Sequence, residues 1–170
     1  MNTYIIKFFT TTCLAVVFFF SLIAQANADT IAIIGTGNVS SALGPKFADL
    51  GHEIIYGSRD PQRDDVQALV IQTGNRASAA TPADSVIDAD IVVIAVPGLV
   101  TLSVVAGLGD LSGKIIIDVT NPTETLENGL RVHAIETSNA EIIQAMLPEA
   151  FVVKAFNTLN YITMIDPASA

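Results

Sequence analysis

Short apolar runs rich in β-branched residues alternate along this chain with longer stretches that mix apolar and polar positions. The runs are Ile31-Ala32-Ile33-Ile34, Glu53-Ile54-Ile55-Tyr56, Ile91-Val92-Val93-Ile94-Ala95-Val96, Ile115-Ile116-Ile117 and Phe151-Val152-Val153, with a weaker one near 76–79. Continuous rather than alternating apolarity suits strands covered on both faces. The stretches between them predict helices near 38–50, 61–73, 82–88, 98–108 and 140–147. Residues 121–139, with a Pro, a Gly and several Thr, Ser and Asn, read as a long loop. Such alternation predicts an α/β fold of the doubly wound, Rossmann type: a mainly parallel sheet with right-handed crossovers and helices on both faces.

The first 28 residues depart from this pattern. Their single charge, Lys7, precedes an apolar stretch from Phe8 to Ala24 that only Thr10–Thr12, Cys13 and Ser21 interrupt, and Ala26-Asn27-Ala28 follows. A basic start, an apolar stretch and a small-x-small triplet are the marks of a secretory signal peptide. Residues 1–28 are therefore expected to be a leader cleaved after Ala28, exporting residues 29–170 to the periplasm or the exterior. The alternative is an uncleaved anchor, because Tyr4–Ala26 is long enough to span a bilayer. Only that alternative brings a membrane partner.

Composition narrows the chemistry. With 51% hydrophobic and 15% charged residues the chain can form a core. Eight Lys and Arg against 17 Asp and Glu, net −9, argue against nucleic-acid binding, which needs clustered positive charge. That balance leaves room for one small basic pocket aimed at one ligand. One Cys and two His exclude both a disulfide framework and a Cys/His zinc site. His52 and His133 stand alone, Asp84, Asp88 and Asp90 read as a solvated face, and no Ser/His/Asp set suggests itself. No residue is singled out as a general acid or base.

The informative motif is Gly35-Thr36-Gly37-Asn38-Val39-Ser40, a glycine turn between the first strand and the first helix. Gly35 permits a tight turn, and Gly37 lets backbone approach a pyrophosphate with no Cβ in the way. The helix start adds free N–H groups and the positive end of its dipole. Ser40 stands where the third Gly or Ala is usual, and is small enough for close helix–sheet packing. At the end of the second strand an NAD site would carry an acid for the ribose hydroxyls. Here Ser58 and Arg59 occupy that place, with Arg63 four residues on. A hydroxyl and two guanidinium groups suit a phosphate, so NADP(H) is the expected dinucleotide. The alternative is surface arginine paired with Asp60, Asp64 or Asp65. Ala95-Val96-Pro97-Gly98, Asp118-Val119-Thr120-Asn121-Pro122 and Ala155-Phe156-Asn157-Thr158 end later strands at the edge where ligands bind in such sheets.

These segments together resemble the NADPH-dependent coenzyme F420 reductase family. The resemblance rests on Ile33-Ile34-Gly35-Thr36-Gly37-Asn38, Gly51–Arg59, Ala95-Val96-Pro97, Ile117–Pro122 and Val153–Thr158 in that order, and it covers roughly residues 30–167. It implies hydride transfer between NADP(H) and a deazaflavin, coenzyme F420, or a flavin-like acceptor. Thr36, Asn38, Ser58, Arg59 and Arg63 would hold the adenosine phosphate and pyrophosphate. Val96, Pro97, Asn121, Ala155, Phe156 and Asn157 would line the nicotinamide and the acceptor ring. Family chains run well beyond the Asn-Thr segment, so a homo-oligomer or partner chain is one way to complete the pocket. A second reading is an exported, non-catalytic dinucleotide-binding module lacking part of the active site.

Overall fold

The structure, a computed structural model, describes residues 28–169. The leader expected over residues 1–28 lies almost wholly outside them. Among the described residues no helix is long and apolar enough to cross a membrane.

Six strands form one wholly parallel sheet: β1 (Thr30–Ile34), β2 (Glu53–Gly57), β3 (Ala77–Ala80), β4 (Ile91–Ile94), β5 (Ile115–Asp118) and, after a two-stranded hairpin of β6 (Thr123–Thr125) and β7 (Arg131–His133), β8 (Phe151–Lys154). Their order across the sheet is β3-β2-β1-β4-β5-β8. The chain thus winds outward from β1 in one direction and restarts at β4 in the other, which leaves a crevice between β1 and β4 at their carboxyl ends. This is the Rossmann-type α/β architecture the apolar runs predict.

Those runs are continuous because consecutive side chains enter different cores. Ile31 and Ile33 of β1 and Val93 of β4 join one cluster. It is closed by Ala42 and Leu43 of α1 (Asn38–Asp49), Leu69 of α2 (Asp64–Thr73) and Met164 of α6 (Tyr161–Ile165). Ala32, Ile34, Val92 and Ile94 face the other cluster, closed by Val105 of α4 (Thr101–Ala106) and Ile143 of α5 (Asn139–Met146). A fully buried Ile or Val contributes about 1.5–3 kcal/mol, so both faces are needed to hold the central strands. Close approach of α1 to the sheet depends on Gly44, where a Cβ would lie 1.8 Å from the Tyr56 hydroxyl. Tyr56 is wholly buried, its hydroxyl hydrogen-bonds to that of Thr73 at 2.7 Å, and burial raises its pKa.

Several element boundaries differ from the sequence expectation. The helix expected over 61–73 starts only at Asp64, because Pro61, Gln62 and Arg63 form the turn that leads into it. That expected over 82–88 is the single turn α3 (Pro82–Ser85), capped by Thr81, after which the chain turns at once into β4. The 98–108 stretch divides into a 3-10 turn, Gly98–Val100, and α4. The loop expected over 121–139 contains the β6–β7 hairpin, whose three-residue, mostly exposed strands show no apolar pattern. α5 begins with a capping box, Ser138 and Glu141 satisfying each other's backbone N–H groups.

Candidate dinucleotide site

At the end of β1 the backbone turns through Gly35 with φ +108°, and an added Cβ would sit 2.4 Å from the Ala95 carbonyl oxygen. Both facts demand glycine. Gly37 is the N-cap of α1 and carries no side-chain cap; a Cβ built there meets nothing within 4 Å. The space in front of this helix start is open. The N–H groups of Asn38, Val39 and Ser40, in the first turn, have no intrahelical acceptor by helix geometry. They form a local positive pole that suits an anion.

A cavity of about 590 Å³ opens at this point. Its lining brings together Gly35, Thr36, Gly37, Ser58, Arg59, Arg63, Val96 and Pro97, residues from the ends of β1, β2 and β4. Asn38 and Val39 lie just behind, in the first turn of α1. An apolar wall that sequence reasoning missed comes from Pro82 at the start of α3 and from Val100 and Val104. For Val100 and Val104 the signal was available in the apolar stretch after β4, expected to be helical over 98–108.

The rim at the end of β2 has a defined structure. Ser58 is buried; its hydroxyl donates to the Asp60 carbonyl at 3.0 Å and accepts from the Asp60 N–H at 3.3 Å. It shapes the turn that carries the exposed Arg59. Arg63 meets Asp65 through two bonds, Nε to Oδ1 at 2.5 Å and Nη2 to Oδ2 at 3.0 Å, and its Nη2 reaches the Thr36 hydroxyl at 3.4 Å. The hydrogen-bonded pair raises the Arg63 pKa and lowers that of Asp65. Pairing with Asp65 and facing the cavity, the two alternatives for Arg63, thus coexist.

The later strand ends are arranged differently. Asn121, Ala155, Phe156 and Asn157 do not border the cavity. Asn121 donates from Nδ2 to the Asn157 carbonyl at 2.7 Å, tying the loop after β5 to that after β8. Between them Phe156 adopts φ +62°, a left-handed conformation uncommon for a bulky residue and held here by its neighbours. Beneath, the Lys154 ammonium pairs with the fully buried Asp118 carboxylate at 2.8 Å and donates to the Thr120 carbonyl. Asp118 also accepts from the Thr120 N–H at 2.9 Å. Asn139 completes the set, donating to the Thr120 hydroxyl and the Gly98 carbonyl, each at 2.8 Å. This knot abuts the cavity wall through Gly98, where a Cβ would lie 2.0 Å from the Asn121 carbonyl oxygen. Lys154, Asp118, Asn139 and Gly98 carry structural roles that sequence reasoning did not assign.

A doubly wound parallel sheet, a glycine turn opening a helix and a cation-bearing rim on one cavity define a Rossmann-type nucleotide-binding domain. The chain belongs to the NADP oxidoreductase, coenzyme F420-dependent family, whose model matches residues 30–122. It is 32% identical over 148 residues to the F420-dependent NADP reductase of Methanothermobacter thermautotrophicus, covering 80% of this chain and 64% of that protein. It is 29% identical over 135 residues to the metalloreductase STEAP3 of Rattus norvegicus, 78% of this chain but 25% of the relative. The chain thus spans less than two thirds of these relatives. Among solved structures, an F420-dependent NADP reductase assigned in Arthrobacter sp. FB24 superimposes with TM-score 0.77 at 33% identity, covering 84% of this chain and 69% of the other.

Proposed function

We propose that the domain binds NADP(H) with its pyrophosphate on the Gly35–Ser40 turn and its adenosine 2′-phosphate on Ser58, Arg59 and Arg63. The observation that carries this reading is the rim at the end of β2, where a hydroxyl and two arginines border the same cavity as Gly37 and no acid stands for ribose hydroxyls. The nicotinamide then extends along Val96 and Pro97 toward Asn121 and the Ala155-Phe156-Asn157 segment. NADPH supplies a hydride. The chain's own task is to hold the ring and shield it, with the apolar wall excluding water. The acceptor we propose is a deazaflavin such as coenzyme F420, or a flavin, placed beyond the nicotinamide.

A second reading is an exported binding module without turnover, and one observation favours the lack of turnover. The polar groups after β5 and β8 bond to one another, so fewer are left to grip an acceptor. Titration with NADPH and NADH, followed by nicotinamide fluorescence, tests the first claim. NADPH should bind more tightly, and Arg59→Ala should weaken NADPH alone, by about 1.5–3 kcal/mol for a charge-assisted contact. Equal losses for both dinucleotides would remove the phosphate assignment. NADPH oxidation with coenzyme F420, and separately with a flavin, then decides between an oxidoreductase and a binding module.

A further inference from the structure

The Arg63 guanidinium presents its N–H fork to Asp65, yet the same group borders the cavity and reaches Thr36 in the glycine turn. Nη2, the nitrogen that reaches Thr36, is also one of the two donors to Asp65, so a phosphate arriving beside Thr36 has to share that nitrogen with the carboxylate or take it from it. We propose that Asp65 competes with the adenosine 2′-phosphate for Arg63, and so sets how strongly the site prefers NADPH over NADH. This rests on the reading that Ser58, Arg59 and Arg63 receive that phosphate.

The two side chains are well placed for exchange. Arg63 is 47% and Asp65 65% exposed, and ion pairs this open are weak, so a phosphate dianion can displace the carboxylate at small cost. Through its approach to Thr36 the guanidinium already stands over the cavity when the exchange occurs. Asp65 has its own reason to be there: it lies in the first turn of α2, where the helix dipole favours an acid. Asp64 lies in that same turn but is not paired with Arg63. The position therefore offers an internal control. Asp60 adds a further, more distant negative charge beside Arg63.

The test is Asp65→Asn in the otherwise unaltered protein, titrated with NADPH and with NADH at about 0.05 M and about 0.5 M salt. At low salt NADPH should bind about twofold to fivefold more tightly, as expected when one exposed ion pair no longer competes. NADH affinity should stay the same, and the gain should shrink at high salt. Asp65→Ser, which keeps a residue suited to a helix start, should behave likewise if the Asn variant folds poorly. Asp64→Asn removes the same charge from the same helix end without freeing Arg63, and should leave the NADPH affinity unchanged. An unchanged or weaker NADPH affinity in the Asp65 variants overturns the proposal, as does an equal gain in Asp64→Asn. If the unaltered protein shows no NADPH preference and Arg59→Ala costs nothing selective, the phosphate site itself is wrong. A preference that Arg59→Ala abolishes, but that the Asp65 variants leave untouched, overturns only the competition.

Discussion

Two regions share the carboxyl edge of this sheet, and they use polar residues in opposite ways. After β1 and β2, backbone N–H groups and arginines are left facing a cavity, and the Gly37 Cβ position meets no atom within 4 Å. After β5 and β8, Asp118, Lys154, Thr120, Asn139, Asn121 and Asn157 bond to one another instead. In the first region the polar groups border open space, and in the second they tie one loop to another. A polar residue at a strand end is thus a weak sign of ligand contact until its partners are known.

The largest expected effect falls on the second region. Lys154→Met would leave the Asp118 carboxylate, wholly buried, without its counter-charge. Removing one partner of such a pair is strongly destabilising, so unfolding in urea should show a loss of about 3 kcal/mol. A loss below about 1 kcal/mol would mean that water reaches Asp118, and the contrast between the two regions would blur.

Gly37→Val probes the first region. The added Cβ meets no protein atom within 4 Å, so the variant should fold, with a loss of about 1 kcal/mol because Val is a poorer N-cap than Gly. The same side chain stands where a pyrophosphate must approach the helix start, so NADPH affinity should fall at least about thirtyfold, or about 2 kcal/mol. A folded variant that binds normally would show that the open space in front of α1 is not the phosphate site.

How far the sequence reveals these two regions follows from the distance over which each signal acts. The strands are legible because Ile31–Ile34 and Ile91–Ile94 are covered on both faces, which leaves no polar positions inside them. The glycine turn and the Ser58-Arg59 rim are legible because their chemistry lies within a few consecutive residues. Lys154 and Asp118 are 36 residues apart, and only the β5–β8 register, which sets Asp118 beside Lys154, makes them a pair. The β6–β7 hairpin escapes notice for another reason. Its strands are too short and exposed for burial to leave a period in the sequence.

The smallest effect concerns Ser40, the third position of the glycine motif. Its hydroxyl is fully buried and, among the described residues, has no hydrogen-bond partner. A buried hydroxyl without a partner costs about 1–3 kcal/mol relative to one that is satisfied, whereas alanine at the same place keeps the close packing of α1 and removes the polar atom. Against this stands the small gap the missing oxygen leaves, so Ser40→Ala should raise stability by about 1 kcal/mol in thermal or urea unfolding. NADPH affinity should stay constant, because the hydroxyl faces packed protein and not the cavity lining. A loss of stability would mean that an ordered water completes its bonding. A loss confined to NADPH affinity would mean that the bound cofactor reaches the Ser40 hydroxyl, adding this side chain to a site to which the residue otherwise offers only its backbone N–H.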